Sequence, residues 1–170
     1  MKVILYMATT INGIIAEEND STNFISEKEL SNFSSMIKKI GNIIIGQKTY
    51  KIMKQHGEFK SFPEITTVIV SQNKVKINSP KHLTANSPKE ALAILKKLGF
   101  NQALVAGGGI LNASFLKKQL INEIYLDLEP VILGKGVKLF SENNTETKLE
   151  LVEINQFSQN EIQLHYKVIN

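Results

Sequence analysis

The 170-residue chain contains no cysteine, no tryptophan and no arginine. Without cysteine there is no disulfide framework, no thiolate nucleophile and no cysteine metal site. The three histidines, His56, His82 and His165, lie far apart and lack ligand spacing, so no metal is expected. Without arginine, the net charge of +4 rests on lysine alone, which does not reproduce the planar bidentate fork that grips carboxylate or phosphate. Aromatic residues make up 7% and do not interleave with basic clusters, so nucleic acid is not an expected partner. No apolar run approaches the roughly 20 residues of a membrane span. The start, Met1-Lys2-Val3-Ile4-Leu5-Tyr6, reads as a strand and not as a secretory leader. A cytoplasmic single domain over residues 1–170 is expected, with a modest positive field that favours an anionic small molecule.

What is present is an alternation of strands and helices. Val3–Ala8, Ile43-Ile44-Ile45 and Thr66–Val70 are apolar or β-branched runs of the kind buried in parallel sheets. Ser26 with Glu29 three residues later has the form of a capping box opening a helix to about Ile40. Ser87-Pro88 opens another helix, closed by Gly99. Lys148–Ile154 and Glu161–Ile169 read as two strands joined by the polar turn Ser158-Gln159-Asn160. The pattern predicts a mostly parallel sheet covered on both faces, ending in an antiparallel hairpin. The polar stretch Glu17–Asn23 is expected to be a loop near a cleft.

The stretch that points to chemistry is Ala106-Gly107-Gly108-Gly109, between the strand-like Ala103-Leu104-Val105 and the helix-like Ile110–Gln119. Three glycines at a strand-to-helix junction let backbone approach a ligand, and the helix start offers unpaired N–H groups to a phosphate. The doubly wound dinucleotide fold is a rival reading, with Asp127 about 20 residues on as its ribose acid. The final small residue of its fingerprint is missing, however, and the tail is antiparallel.

Six segments, in order, resemble the dihydrofolate reductase superfamily, and most closely its riboflavin biosynthesis reductase branch, the C-terminal domain of the bifunctional deaminase-reductase. They are Val3–Ala8 with Asn12-Gly13-Ile14-Ile15-Ala16, Gly46-Gln47-Lys48-Thr49-Tyr50 after Asn42–Ile45, Thr67–Ser71, Val105–Gly109 with Phe115-Leu116, Leu120–Ile124, and Glu129–Phe140. The resemblance implies a three-layer dihydrofolate-reductase-like α/β fold and hydride transfer from NADPH. It places the pyrophosphate on Gly107, Gly108 and Gly109, flanked by Ala106, Ile110 and Leu111. A second phosphate site would form at Gly46, Gln47, Lys48 and Thr49, where Lys48 or a neighbouring lysine could meet a 2′-phosphate as a point charge. Ser71 and Gln72 would lie near the adenosine, and the backbones of Ala8 and Ile15 would hold the carboxamide. The branch is often homodimeric, and Val131-Ile132-Leu133 is either interface or core.

Reduction of C=N or C=O needs a proton as well as a hydride, and a half-buried carboxylic acid is the usual source. Glu29-Leu30-Ser31-Asn32-Phe33 matches the superfamily's acid-bearing helix segment. Glu29, with Asp127, is therefore the candidate to bind or protonate the substrate, against the plainer reading of Glu29 as a helix cap. The absent arginine and tryptophan argue against folate, and Asn12 replaces an aspartate common in the branch. The expected substrate is a phosphoribosylaminopyrimidine or a similar heterocycle. The alternatives are a dihydrofolate reductase with altered recognition of the glutamate tail and a non-catalytic NADPH-binding relative.

Overall fold

The computed structural model describes residues 1–141 and 146–169. Ten strands are β1 (Lys2–Thr10), β2 (Ile14–Ala16), β3 (Asn42–Gly46), β4 (Thr66–Val70), β5 (His82–Ala85), β6 (Gln102–Val105), β7 (Glu123–Glu129), β8 (Val137–Lys138), β9 (Lys148–Gln156) and β10 (Ile162–Ile169). Four helices are α1 (Glu27–Ile40), α2 (Gln47–His56), α3 (Pro88–Lys97) and α4 (Gly109–Lys117), with a 3₁₀ turn at Glu58–Ser61. Eight strands form one sheet in the order β5-β4-β3-β6-β1-β7-β10-β9. The first six are mutually parallel, and β10 and β9 add antiparallel, as the sequence pattern predicts.

The period of two along β1 divides the core. Val3 and Leu5 pack with α3 and α4 through Ala91, Leu95, Leu111 and Phe115. Ile4 and Tyr6 pack on the other face with α1 and α2 through Ile37, Ile40, Tyr50 and Met53. Because both faces are covered, β3 and β6 carry uninterrupted apolar runs: Ile43, Ile44, Ile45, Ala103, Leu104 and Val105 are fully buried. β9 is the sheet's edge and is exposed along its whole length, including Leu151, Val152 and Ile154. Within the segment Val131-Ile132-Leu133, Ile132 is 73% exposed and its neighbours are half-buried.

The segment after β7 folds back over the β1–β2 turn. Asn12 Nδ2 donates to the Leu133 carbonyl at 2.6 Å, and Asn12 Oδ1 accepts from the Leu133 N–H at 3.3 Å. The Leu139 N–H donates to the Gly13 carbonyl, and β2 pairs with β8. An amide is the group that can both donate and accept here; a carboxylate cannot donate. Asn12 therefore uses both halves of its amide in holding this segment. Asn12→Asp is expected to destabilise the fold by about 1 kcal/mol, seen as a loss of roughly 2–4 °C in Tm.

Candidate active site

All but one of the residues nominated from the sequence line a single cleft of about 730 Å³ at the C-terminal ends of the parallel strands. On one side, α2 and α4 begin beside each other. The Gly46 N–H donates to the Gly107 carbonyl at 2.8 Å, tying the two helix starts together. Gly107 has φ +84°, a left-handed conformation, and the peptide to Gly108 is cis. A Cβ at Gly107 would press on the Met7 thioether, and one at Gly109 would collide with the Lys138 carbonyl oxygen. The junction therefore admits backbone only.

The four helix starts differ in kind. α1 is capped by Ser26 and carries Glu27 and Glu29 in its first turn; α3 is capped by Ser87 and carries Glu90. α2 and α4 begin at Gly46 and Gly108 with no side-chain cap and no acidic residue in the first turn. Their first N–H groups and positive dipole ends open into the cleft, where an anion would complete them. Around them stand Ala8, Ile15, Ala106, Ile110 and Leu111. Ser71 Oγ donates to Gln47 Oε1 at 2.9 Å, and Gln72 Nε2 donates to the Asn86 carbonyl at 2.6 Å. Lys48 is ion-paired with Asp20 of the polar loop at 2.6 Å, and its side chain is 71% exposed.

The opposite wall carries Glu29. Ser26 Oγ accepts from the Glu29 N–H at 3.0 Å, so half of a capping box is formed. The returning half is not made by Glu29. Glu129, at the end of β7, accepts the Ser26 N–H through Oε1 at 3.0 Å. Glu29 is thereby released from the cap, and its carboxyl faces the cleft without a hydrogen bond from any described residue. Glu29 is only 3% exposed. Burial, and then the nearby charges of Asp127, Glu129 and Glu161, push its pKa up to about 8.

Asp127 is the nominated residue that does not reach the cleft. It is fully buried, and both oxygens are taken: Tyr6 Oη donates to Oδ2 at 2.5 Å and Gln163 Nε2 to Oδ1 at 2.7 Å. Burial raises its pKa, and these two hydrogen bonds oppose the rise. Tyr6, not Asp127, lines the cleft, and burial followed by the Asp127 charge holds its hydroxyl protonated. The expectation that Asp127 meets the substrate is corrected on this point: its carboxyl is spent on positioning Tyr6 and on the field at Glu29.

A family model for the RibD C-terminal domain matches residues 1–163. The chain belongs to that family. It is 30% identical over 169 residues to the Bacillus subtilis (strain 168) protein YwjB, covering 97% of each. It is 27% identical to the riboflavin biosynthesis protein RibD of Buchnera aphidicola, covering 78% of this chain and 38% of that one. Among solved structures, a Shewanella sp. PV-4 protein described as belonging to riboflavin biosynthesis aligns over 100% of both chains with a TM-score of 0.84 at 20% identity. The Thermotoga maritima deaminase/5-amino-6-(5-phosphoribosylamino)uracil reductase aligns with a TM-score of 0.75 at 18% identity, over 99% of this chain and 56% of that one.

Within this RibD C-terminal fold, four acidic-face residues escape sequence reading. Tyr6 and Gln163 clamp Asp127, and Glu129 and Glu161 share a hydrogen bond beside Ser26. β7 aligns Ala8 with Asp127 and Thr10 with Glu129, while β10 places Gln163 opposite Asp127. A polar residue at every second position of β7, Asp127 and Glu129, against a buried face is the signal that was available. A fifth, Glu58, lines the cleft from the 3₁₀ turn after α2. Nothing in its local sequence marks it.

Proposed function

We propose that this chain is an NADPH-dependent reductase of a nitrogen heterocycle, with Glu29 as its proton donor. The observation that carries the reading is the pairing, in one cleft, of two uncapped helix starts with a buried carboxyl that Glu129 has released from capping duty. NADPH, when bound, supplies the hydride. Gly107–Gly109 and Gly46–Thr49 hold its phosphates by backbone N–H groups. Lys48, now paired with Asp20, would meet a 2′-phosphate as a point charge. Ala8 and Ile15 offer backbone to the carboxamide. Met7 and Leu111 shield the junction from water.

On the substrate side, the Glu29 carboxyl would give its proton to the heteroatom of the C=N or C=O bond whose carbon takes the hydride. With a pKa near 8, Glu29 is largely protonated at neutral pH and close enough to it to donate efficiently. Solvent then returns the proton. Tyr6, held by Asp127 and packed at a tilt against Phe33 with ring centroids 5.5 Å apart, lines this compartment.

The direct test is a thermal titration, since a ligand that binds only the native state raises its melting temperature. NADPH is expected to raise Tm more than NADH. Lys48→Gln is expected to remove most of that difference, because it deletes the one cationic side chain that the described cleft offers a 2′-phosphate. A melting temperature indifferent to both nucleotides would refute the cofactor assignment.

A further inference from the structure

The cleft has a charge imbalance that narrows its substrate. Its carboxyl and amino lining, among the described residues, is Asp20, Glu29, Glu58 and Lys48: three carboxyls, of which Glu29 is kept largely protonated by burial, against one lysine, in a chain whose net charge is +4. Lys48 already pairs with Asp20 and stands at the start of α2, on the side assigned to the cofactor. Glu29 and Glu58 face the remaining space without a cation among its lining residues.

Helix starts offer no alternative anchor for a substrate anion. Those of α2 and α4 are taken by the cofactor's phosphates in the reading above. Those of α1 and α3 are closed by Ser26 and Ser87, with glutamates in their first turns. Among the described residues, then, the lysine of the cleft lining and the two uncapped helix starts all stand on the side assigned to the cofactor. Glu58 adds to the effect. It follows Ile52 and Met53, which line the same cleft, and His56 Nδ1 lies 3.8 Å from its carboxyl, outside the lining.

We propose that the substrate is a nitrogen heterocycle without a phosphate ester, presenting ring N–H or amino donors to Glu29 and a hydroxyl- or amine-bearing tail to Glu58. This rests on the reductase reading above and departs from the phosphoribosyl substrate that the family resemblance suggested. The redox balance is unchanged: a hydride and one proton add across the C=N or C=O bond, and the nucleotide leaves oxidised. Glu29, protonated or ionised, accepts N–H donors, and Glu58 accepts from hydroxyls or amines. A phosphate dianion at the same place meets the Glu58 carboxylate and finds no unpaired cation among the described lining residues, which selects against it.

The probes are 5-amino-6-(5-phosphoribosylamino)uracil and its dephosphorylated riboside, which differ in the phosphate alone. Each is titrated calorimetrically into the NADP⁺-loaded protein, and NADPH oxidation is followed with each. The riboside is expected to bind about tenfold more tightly or better, because like-charge juxtaposition penalises the phosphate. The gap is expected to narrow between about 0.05 M and 0.5 M salt, as screening shortens the reach of the Glu58 carboxylate. Glu58→Lys is expected to narrow or reverse the preference, and Glu58→Gln to have the smaller effect of the same sign. Both substitutions are tolerable, because the Glu58 side chain is 41% exposed. Equal binding, tighter binding of the phosphate compound, or binding of neither overturns the proposal. If NADPH fails to raise Tm, the reductase reading itself is lost. If NADPH binds and the phosphate compound is preferred, only the substrate proposal is lost.

Discussion

Glu29→Gln is expected to lower kcat/KM for the reducible substrate by about 10²–10⁴-fold, the usual contribution of a positioned general acid. The glutamine keeps the shape and the Ser26 cap, since that bond uses the Glu29 backbone N–H. It removes the proton. The wild-type rate is expected to fall as pH rises through about 8, where the Glu29 carboxyl ionises, and the variant's residual rate is expected to lose that limb. The same substitution should stabilise the fold. The folded-state pKa of Glu29 lies above its ordinary value of 4.5, so the native protein holds a proton that the unfolded chain has released between those values. Stability is therefore fully present below about 4.5 and declines as pH rises toward 8. Removing a buried group with this penalty should raise stability at neutral pH by on the order of 2–3 kcal/mol. Activity lost and stability gained together separate a catalytic Glu29 from a structural one. A Glu29→Gln variant with an unchanged pH profile and a lower Tm would assign it to structure.

Gly109→Ala carries the second large effect. The added Cβ collides with the Lys138 carbonyl oxygen and presses on Ser141 Oγ. The first contact is with backbone, so it is relieved only by moving α4 away from the Val137–Lys138 strand. That segment is itself held by β2 and by Asn112 Nδ2, which donates to the Leu139 carbonyl at 2.9 Å. Overpacking of this kind costs about 1–3 kcal/mol. It also displaces the N–H groups that would hold the pyrophosphate, and an error of about 1 Å at such a site can cost roughly a hundredfold. NADPH affinity should therefore fall much more than stability. Gly134→Ala is the control, since its added Cβ meets nothing and its backbone is not left-handed. It is expected to change stability by less than about 0.5 kcal/mol and to leave NADPH binding intact. Equal effects of the two substitutions on binding would remove Gly107–Gly109 from the site.

The glycine-lined wall of the cleft, which we propose holds the cofactor, is built from parts that are local in sequence. Glycine at a strand-to-helix junction announces itself within five residues, and each such turn was readable alone. Ala106–Leu111 and Gly46–Thr49 lie on one cleft wall because β3 and β6 are neighbours in a parallel sheet. The acidic wall was legible only in part. The spacing from Ser26 to Glu29 has the form of a capping box, and locally Glu29 has no reason to do anything else. A glutamate about a hundred residues later takes its place. Asp127 was visible as an acid on a strand, but its partners Tyr6 and Gln163 lie 121 and 36 residues away. Pairings of that range depend on strand order, which no local pattern contains.

The sequence by itself determined the alternation of strands and helices, the glycine turns, the absence of arginine and cysteine, and the family. These follow from periodicity, composition and residues close along the chain. Tertiary structure decided which carboxyls are free, which are paired, and what charge the cleft presents. It set β7 between β1 and β10, and so gave Glu129 the cap, Asp127 the tyrosine, and Glu29 the cleft. The physical reason is that a carboxyl's protonation and partners depend on desolvation and on charges within a few ångströms, and in this fold those neighbours come from strands far apart in the chain.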